Sequence, residues 1–176
     1  MSNYSPSNYV GKPIICTNPC AEVPLEDGGA CNLGSINLSR FVTNGFTTNA
    51  TINWDQLADS TMILTRFLDN VVTWNEDLNA LEKQRIAAKE ARRLGLGVMG
   101  IADMLNQLGH GYDTDKGIEL ITDAMKFITN AAYQASSSLA NAPLSFVLSG
   151  GGGCDLSSLL RDSWEYRPHL VLDGLV

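Results

Sequence analysis

Pro19 constrains this chain more than any other single residue, because it stands where the reactive side chains are densest. It has no N–H and pushes Asn18 away from helical geometry, so Thr17-Asn-Pro-Cys-Ala-Glu22 has to be extended or turned. Alternate side chains along such a stretch share a direction, which points Asn18, Cys20 and Glu22 toward one pocket. Together they offer a thiol that can be oxidised or give up a hydrogen atom, a carboxylate that can accept a proton, and an amide that can orient a hydroxyl. Cys31, in Gly29-Ala-Cys-Asn-Leu-Gly-Ser-Ile-Asn-Leu38, adds a second thiol able to form a disulfide. The grouping reads as redox chemistry on a polar substrate.

Helical sequence begins only well after this opening. Pro13-Ile-Ile-Cys16 reads as a short apolar strand with Cys16 buried in it as a small hydrophobe. Asn32 to Leu38 leads through Arg40-Phe-Val42 into a polar, exposed stretch, Thr43 to Thr51. Asn53 and Gln56 form a capping-box-like start for a helix whose Leu57, Leu64, Phe67, Leu68 and Val71 recur at helical spacing as a core face. A second helix is predicted from about Asn79 through Arg92, with Gly95 as its left-handed cap. Val98 to Leu108 reads as a short apolar helix stopped at Gly109. Asp115 to Ala140 reads as a longer one with Ile118, Ile121, Met125, Ile128 and Ala132 on one face. The run Gly95-Leu-Gly-Val-Met-Gly100 has the spacing of a dinucleotide fingerprint, but it follows a basic helical run rather than a strand, so its glycines are assigned to tight helix packing.

Composition excludes several classes. With 44% hydrophobic and 18% charged residues the chain can bury a core, and no apolar run is long enough for a membrane helix. Met1 to Val10 is polar and lacks the pattern of a secretion signal, which implies a cytoplasmic protein. A net charge of −7 argues against nonspecific binding of nucleic acid. Four cysteines, Cys16, Cys20, Cys31 and Cys154, then read as reduced thiols. Cys16-x3-Cys20 is not a zinc-knuckle spacing and no histidine stands nearby, so no metal is expected. Cysteine-nucleophile catalysis needs a histidine base, and only His110, in a break between helices, and His169 are available. A small thiol-disulfide protein using Cys20 and Cys31 is a weak alternative, since their separation is unlike Cys-x-x-Cys.

Asn18-Pro-Cys-Ala-Glu22 plus Ala30-Cys-Asn-Leu-Gly-Ser-Ile-Asn-Leu38 resembles the active-site segment of the large, catalytic chain of ribonucleotide reductase. Arg93-Leu-Gly-Leu-Gly-Val-Met-Gly-Ile-Ala-Asp-Met-Leu105 resembles a helix of the same chain in its adenosylcobalamin-dependent class. By position, the resemblance implies that Cys20 carries a thiyl radical that takes hydrogen from C3′ of the ribose, and that Glu22 is the base for the 3′-hydroxyl. It further implies that Asn18 hydrogen-bonds the substrate hydroxyls and that Cys31 is one of two thiols delivering reducing equivalents. Asn18, Pro19, Cys20, Ala21 and Glu22 would form the substrate-binding loop, with Ala21 where this class often has glycine. The cofactor implied is adenosylcobalamin, or otherwise a radical-generating metal subunit. The partners implied are a ribonucleotide, the remaining segments of the reductase and a thioredoxin- or glutaredoxin-type reductant, with no nucleic acid and no membrane.

The fold so implied is α/β: a fragment of the family's ten-stranded α/β barrel, a strand-loop opening followed by mostly helices. Residues 11–140 carry the resemblance. Residues 1–10 read as a polar extension, 141–153 as a Gly-rich linker, and 154–176 as a tail that fits no part of the family. The family's chains are several times longer than 176 residues, and the thiol that would pair with Cys31 belongs to an upstream strand. The expected product is thus a piece that works when complemented, with strand edges and apolar faces uncovered; the rival is a non-catalytic relic or interaction fragment.

Overall fold

The computed structural model describes residues 13–140 and two further strands, 146–149 and 164–167. The extension 1–10, Cys154, His169 and the rest of the linker and tail lie outside the described residues. Strands β1 (Cys16–Thr17) to β6 (Leu94–Met99) and helices α1 (Trp54–Leu78) to α4 (Asp115–Leu139) make a mixed α/β chain. Its strands form separate two-stranded pairs, with no closed barrel among the described residues. Strands β7 (Phe146–Ser149) and β8 (Trp164–Arg167) pair in parallel.

Two compact units can be distinguished. The first takes in the described chain up to Asn32, Asn70–Arg93 and the β7–β8 pair; the second takes in Leu33–Asp69 and Leu94–Leu139. In the first unit, β1 and β2 (Pro24–Leu25) form an antiparallel hairpin, and helix α2 (Glu82–Ala91) follows the end of α1. Ion pairs tie this unit: Lys83 to Asp27 at 2.5 Å and Lys89 to Glu76 at 3.0 Å. Both involve exposed side chains, so each contributes at most about 1 kcal/mol.

The second unit is organised by β3 (Asn32–Asn37) lying beside β6. A Cβ on Gly97 would stand 3.2 Å from Ser35 Oγ, and one on Gly100 would meet Asn37 Oδ1, so the two strands run in the same direction. A 3-10 turn, Leu38–Phe41, and the hairpin of β4 (Val42–Thr43) and β5 (Thr51–Ile52) complete the opening, with the Thr43–Thr51 stretch largely exposed as expected. Ile36, Leu38, Phe41, Leu57, Met104, Leu105 and Ile128 form the core. They come from strand, turn and three helices, the last two being α3 (Ile101–Leu108) and α4.

Helix α1 starts where the capping pair stands: the Gln56 N–H donates to Asn53 Oδ1 at 3.1 Å, and the two side-chain amides meet at 3.5 Å. Its buried face differs from the expected one. Leu57, Thr61, Thr65, Leu68 and Val72 are buried, whereas Phe67 is 52% exposed. The two threonines were invisible to an apolar count, yet their hydroxyls donate to the carbonyls of Leu57 and Thr61 one turn back and so enter the interior satisfied. On α4 the buried stripe is Gly117, Ala124, Ile128, Ala131 and Ala135, while Ile118 and Met125 of the expected face are exposed.

Two further expectations are corrected between residues 92 and 100. Arg92, not Gly95, takes the left-handed cap of α2, at φ 43°. Residues 94–99 then form a strand, so helix α3 begins at Ile101 rather than near Val98, and Gly95 and Gly97 serve strand pairing rather than helix packing. The dinucleotide reading is no better for it, because two of the three glycines lie inside the strand instead of in the turn after it.

Gly100 is the strand-to-helix hinge, at φ 71°. Asn37 Oδ1 lies where its Cβ would be, and that oxygen accepts from the Ser39 N–H at 3.2 Å and Ser39 Oγ at 2.8 Å, capping the 3-10 turn. Gly109, which caps α3 at φ 77°, has open space at the same place. Gly100→Ala therefore combines left-handed strain of about 1–2 kcal/mol with the loss of a cap worth about 1 kcal/mol. Gly109→Ala carries the strain alone. Urea unfolding is expected to show the larger loss for Gly100→Ala, and equal losses would mean that Asn37 gives way freely.

Candidate functional site

Asn18 builds the tip of the β1–β2 hairpin from both its backbone and its side chain. Its N–H donates to the Val23 carbonyl at 3.3 Å, its carbonyl accepts from the Ala21 N–H at 3.0 Å, and its Oδ1 accepts from the Val23 N–H at 3.0 Å. Pro19 has no N–H to place in this network, which suits the second position of the resulting Asn18–Ala21 turn. The segment is therefore turned rather than extended. Asn18, Cys20 and Glu22 are brought together by one tight loop, not by strand alternation.

Within that loop Cys20 and Glu22 are exposed and Asn18 is half-buried. The Asn18 carbonyl oxygen is committed to the loop itself, so its NH2 group is the end that can address a hydroxyl. Ala21 sits between the two reactive residues at φ 64°, a conformation that glycine adopts freely and alanine does not. The backbone thus gives a physical reason why glycine would fit this position with less strain than alanine.

Cys16 departs from its expected burial. It is exposed in β1, paired with Leu25, and its thiol donates to the carbonyls of Leu25 and Glu26 at 3.5 and 3.6 Å. A two-residue strand covered on one side is too short to bury it.

Cys31 lies just before β3 and is half-buried, its thiol directed to the Asn32 carbonyl at 3.8 Å. Burial pushes this thiol above its ordinary pKa; the Arg93 guanidinium opposes that shift and the Glu22 carboxylate adds to it. Glu22 therefore acts on Cys31 as well as flanking Cys20. Arg93 in turn donates from Nη1 to Glu26 Oε2 at 2.7 Å, and Glu26 is 5% exposed with its Oε1 buried and without a hydrogen-bond partner among the described residues.

Sequence reasoning missed Arg93 and Glu26 as neighbours of the site. Arg93 heads the second motif, but Glu26 is one of two adjacent acids, with Asp27, after Pro24-Leu25, and only the fold brings it to Arg93, 67 residues along the chain. His110 lies in the loop after α3, its N–H donating to the Leu105 carbonyl.

Comparison with known proteins places this loop in context. The family model for the ribonucleotide reductase barrel domain matches residues 2–146. A vitamin B12-dependent ribonucleoside-diphosphate reductase of Mycobacterium tuberculosis is 41% identical over 129 residues, covering 72% of this chain and 17% of that protein. The enzyme of the same description from Thermoplasma acidophilum is 40% identical over 136 residues, covering 77% of this chain and 17% of its own. A ribonucleoside-diphosphate reductase subunit alpha of Chlamydia pneumoniae is 32% identical over 165 residues, 92% of this chain and 15% of that subunit. The chain spans about a sixth of the length of the curated relatives it matches.

Proposed function

Since this chain belongs to the ribonucleotide reductase barrel-domain family, we propose that it is part of an enzyme converting ribonucleotides to 2′-deoxyribonucleotides for DNA synthesis. The observation that carries this reading is the hairpin tip. Within the segment matched to the barrel domain, one turn presents a thiol and a carboxylate on either side of Ala21, braced by an asparagine. Cys20 carries the radical and takes a hydrogen atom from C3′ of the ribose. Glu22 removes the 3′-hydroxyl proton as the 2′-hydroxyl leaves as water, and the Asn18 NH2 orients the hydroxyls. Cys31 gives one of the two thiol equivalents that end as a disulfide, with a thioredoxin- or glutaredoxin-type dithiol restoring them. Residues 11–140 form the barrel segment in this assignment.

Adenosylcobalamin is the cofactor we assign, supported by the B12 dependence named for the mycobacterial and Thermoplasma relatives. When bound it supplies the radical that a thiol cannot form from ordinary side chains. The exposed position of Cys20 on a hairpin tip suits a group that must approach its sulfur from outside the segment. The remaining segments of the reductase would hold the cofactor and close over the loop. Exposed apolar side chains support the need for such partners: among them Ile63 is 70%, Trp74 58% and Leu78 81% accessible along α1.

The test is to co-express this chain with the remaining reductase segments and measure 2′-deoxyribonucleotide formed from ribonucleoside di- and triphosphates, with and without adenosylcobalamin. Cobalamin-dependent product is expected. Product that requires a metal-radical subunit instead would move the radical source, and no product under any condition would overturn the catalytic reading in favour of a non-catalytic interaction fragment.

A further inference from the structure

Cys31 and Arg93 occupy matching places in the fold. Cys31 immediately precedes β3 and Arg93 immediately precedes β6, and these strands lie side by side in the same direction, with Gly97 beside Ser35 and Gly100 beside Asn37. Counting back along both strands from Gly97 and Ser35, which lie within them, brings residues 31 and 93 next to each other. The guanidinium is not left to wander: Glu26, buried and one end of a 2.7 Å ion pair, anchors it.

We propose that Arg93, anchored by Glu26, is a positioning residue that holds a positive charge beside Cys31 and stabilises its thiolate when the active-site disulfide is reduced. This rests on the proposed role of Cys31 as a reducing thiol. In that step a thiolate of an external dithiol attacks the sulfur bonded to Cys31 and forms a new S–S bond with it. The old S–S bond breaks, and its electron pair leaves on the Cys31 sulfur. The second thiol of the reductant then displaces the mixed disulfide. The reductant ends as a disulfide, and its two protons end on the two cysteines. A cation at the departing sulfur is what this exchange needs, because burial and the Glu22 carboxylate both disfavour charge on Cys31 and Arg93 alone among its named neighbours favours it.

The test uses the full chain with Cys16, Cys20 and Cys154 replaced by serine, and follows the rate at which iodoacetamide alkylates Cys31 as pH is varied. Arg93→Gln is expected to move the profile to higher pH and to slow alkylation at neutral pH roughly threefold or more. Arg93→Lys keeps most of the parental rate, and Glu22→Gln moves the profile the other way. An Arg93→Gln profile that superimposes on the parent's overturns the proposal. Where Arg93→Gln loses its helical circular dichroism, the Glu22→Gln chain is titrated with salt instead. Its midpoint climbs as salt screens Arg93, and a salt-independent midpoint overturns the proposal equally. Neither readout needs turnover. An Arg93-dependent profile without ribonucleotide reduction fails the functional reading alone, and reduction with an Arg93-independent profile fails this inference alone.

Discussion

Cys20→Ser in the complemented enzyme is expected to abolish 2′-deoxyribonucleotide formation while leaving the hairpin in place. The turn is held by Asn18 through its bonds to Ala21 and Val23, none of which involves the Cys20 side chain, and serine is close to cysteine in size. What changes is chemical. Oxygen holds its hydrogen more tightly than sulfur does, so a serine at the tip cannot be converted to a radical carrier under conditions that convert a thiol. The loss should therefore fall on the chemical step with substrate binding retained, which separates it from a loop that has simply been deformed. Single-turnover product formation checks this, alongside circular dichroism of the variant chain. A rate within about tenfold of the parent would refute the assignment of Cys20.

The largest effect on stability is expected from Leu105→Ala. Leu105 is fully buried in the core of the second unit, with Leu38, Leu57 and Met104 each at 1% exposure or less in the same cluster. Removing its isobutyl group loses the transfer free energy of the buried carbons and leaves a cavity, together about 2–5 kcal/mol. That is a large part of the roughly 5–15 kcal/mol by which a domain of this kind is stable. Phe67→Ala is the informative control, because a larger side chain is removed from a surface position and the cost should be small. Urea unfolding followed by far-ultraviolet circular dichroism should show the midpoint fall markedly for Leu105→Ala and little for Phe67→Ala. The reverse order would mean that α1 packs on the face its apolar residues suggest.

Phe67 shows why only part of the fold was legible in the sequence. Helix α1 was legible because its signals are local: the Asn53–Gln56 cap and apolar spacing across many turns. Gly109 as the end of α3 and the exposed polar stretch from Thr43 to Thr51 were legible for the same reason, though its closing as a hairpin was not. The burial face of α1 was not, since its apolar residues spread over more than one side. Which side turns inward depends on what packs there, and two self-satisfied threonines took the place of Phe67. On α4, Ala124, Ala131 and Ala135 were chosen over Ile118 and Met125 in the same way.

The stretch Leu94–Met99 is the sharpest case. Its composition suits a helix as well as a strand, and its neighbour β3 lies some sixty residues earlier, so local propensity could not decide it. At the site, the sequence alone determined the reactive set. Pro19 barred a helix, and Asn18, Cys20 and Glu22 followed one another too closely to be separated by any fold. It also carried the family resemblance in two motifs. Only the tertiary structure decided that the set sits on a tight turn with Ala21 left-handed, that Cys16 is exposed, and that Arg93, paired with Glu26, acts on Cys31. The physical reason is range: caps, prolines and reactive neighbours act within a few residues. Burial faces, strand partners and the charge beside a thiol are set by contacts between segments far apart in the chain.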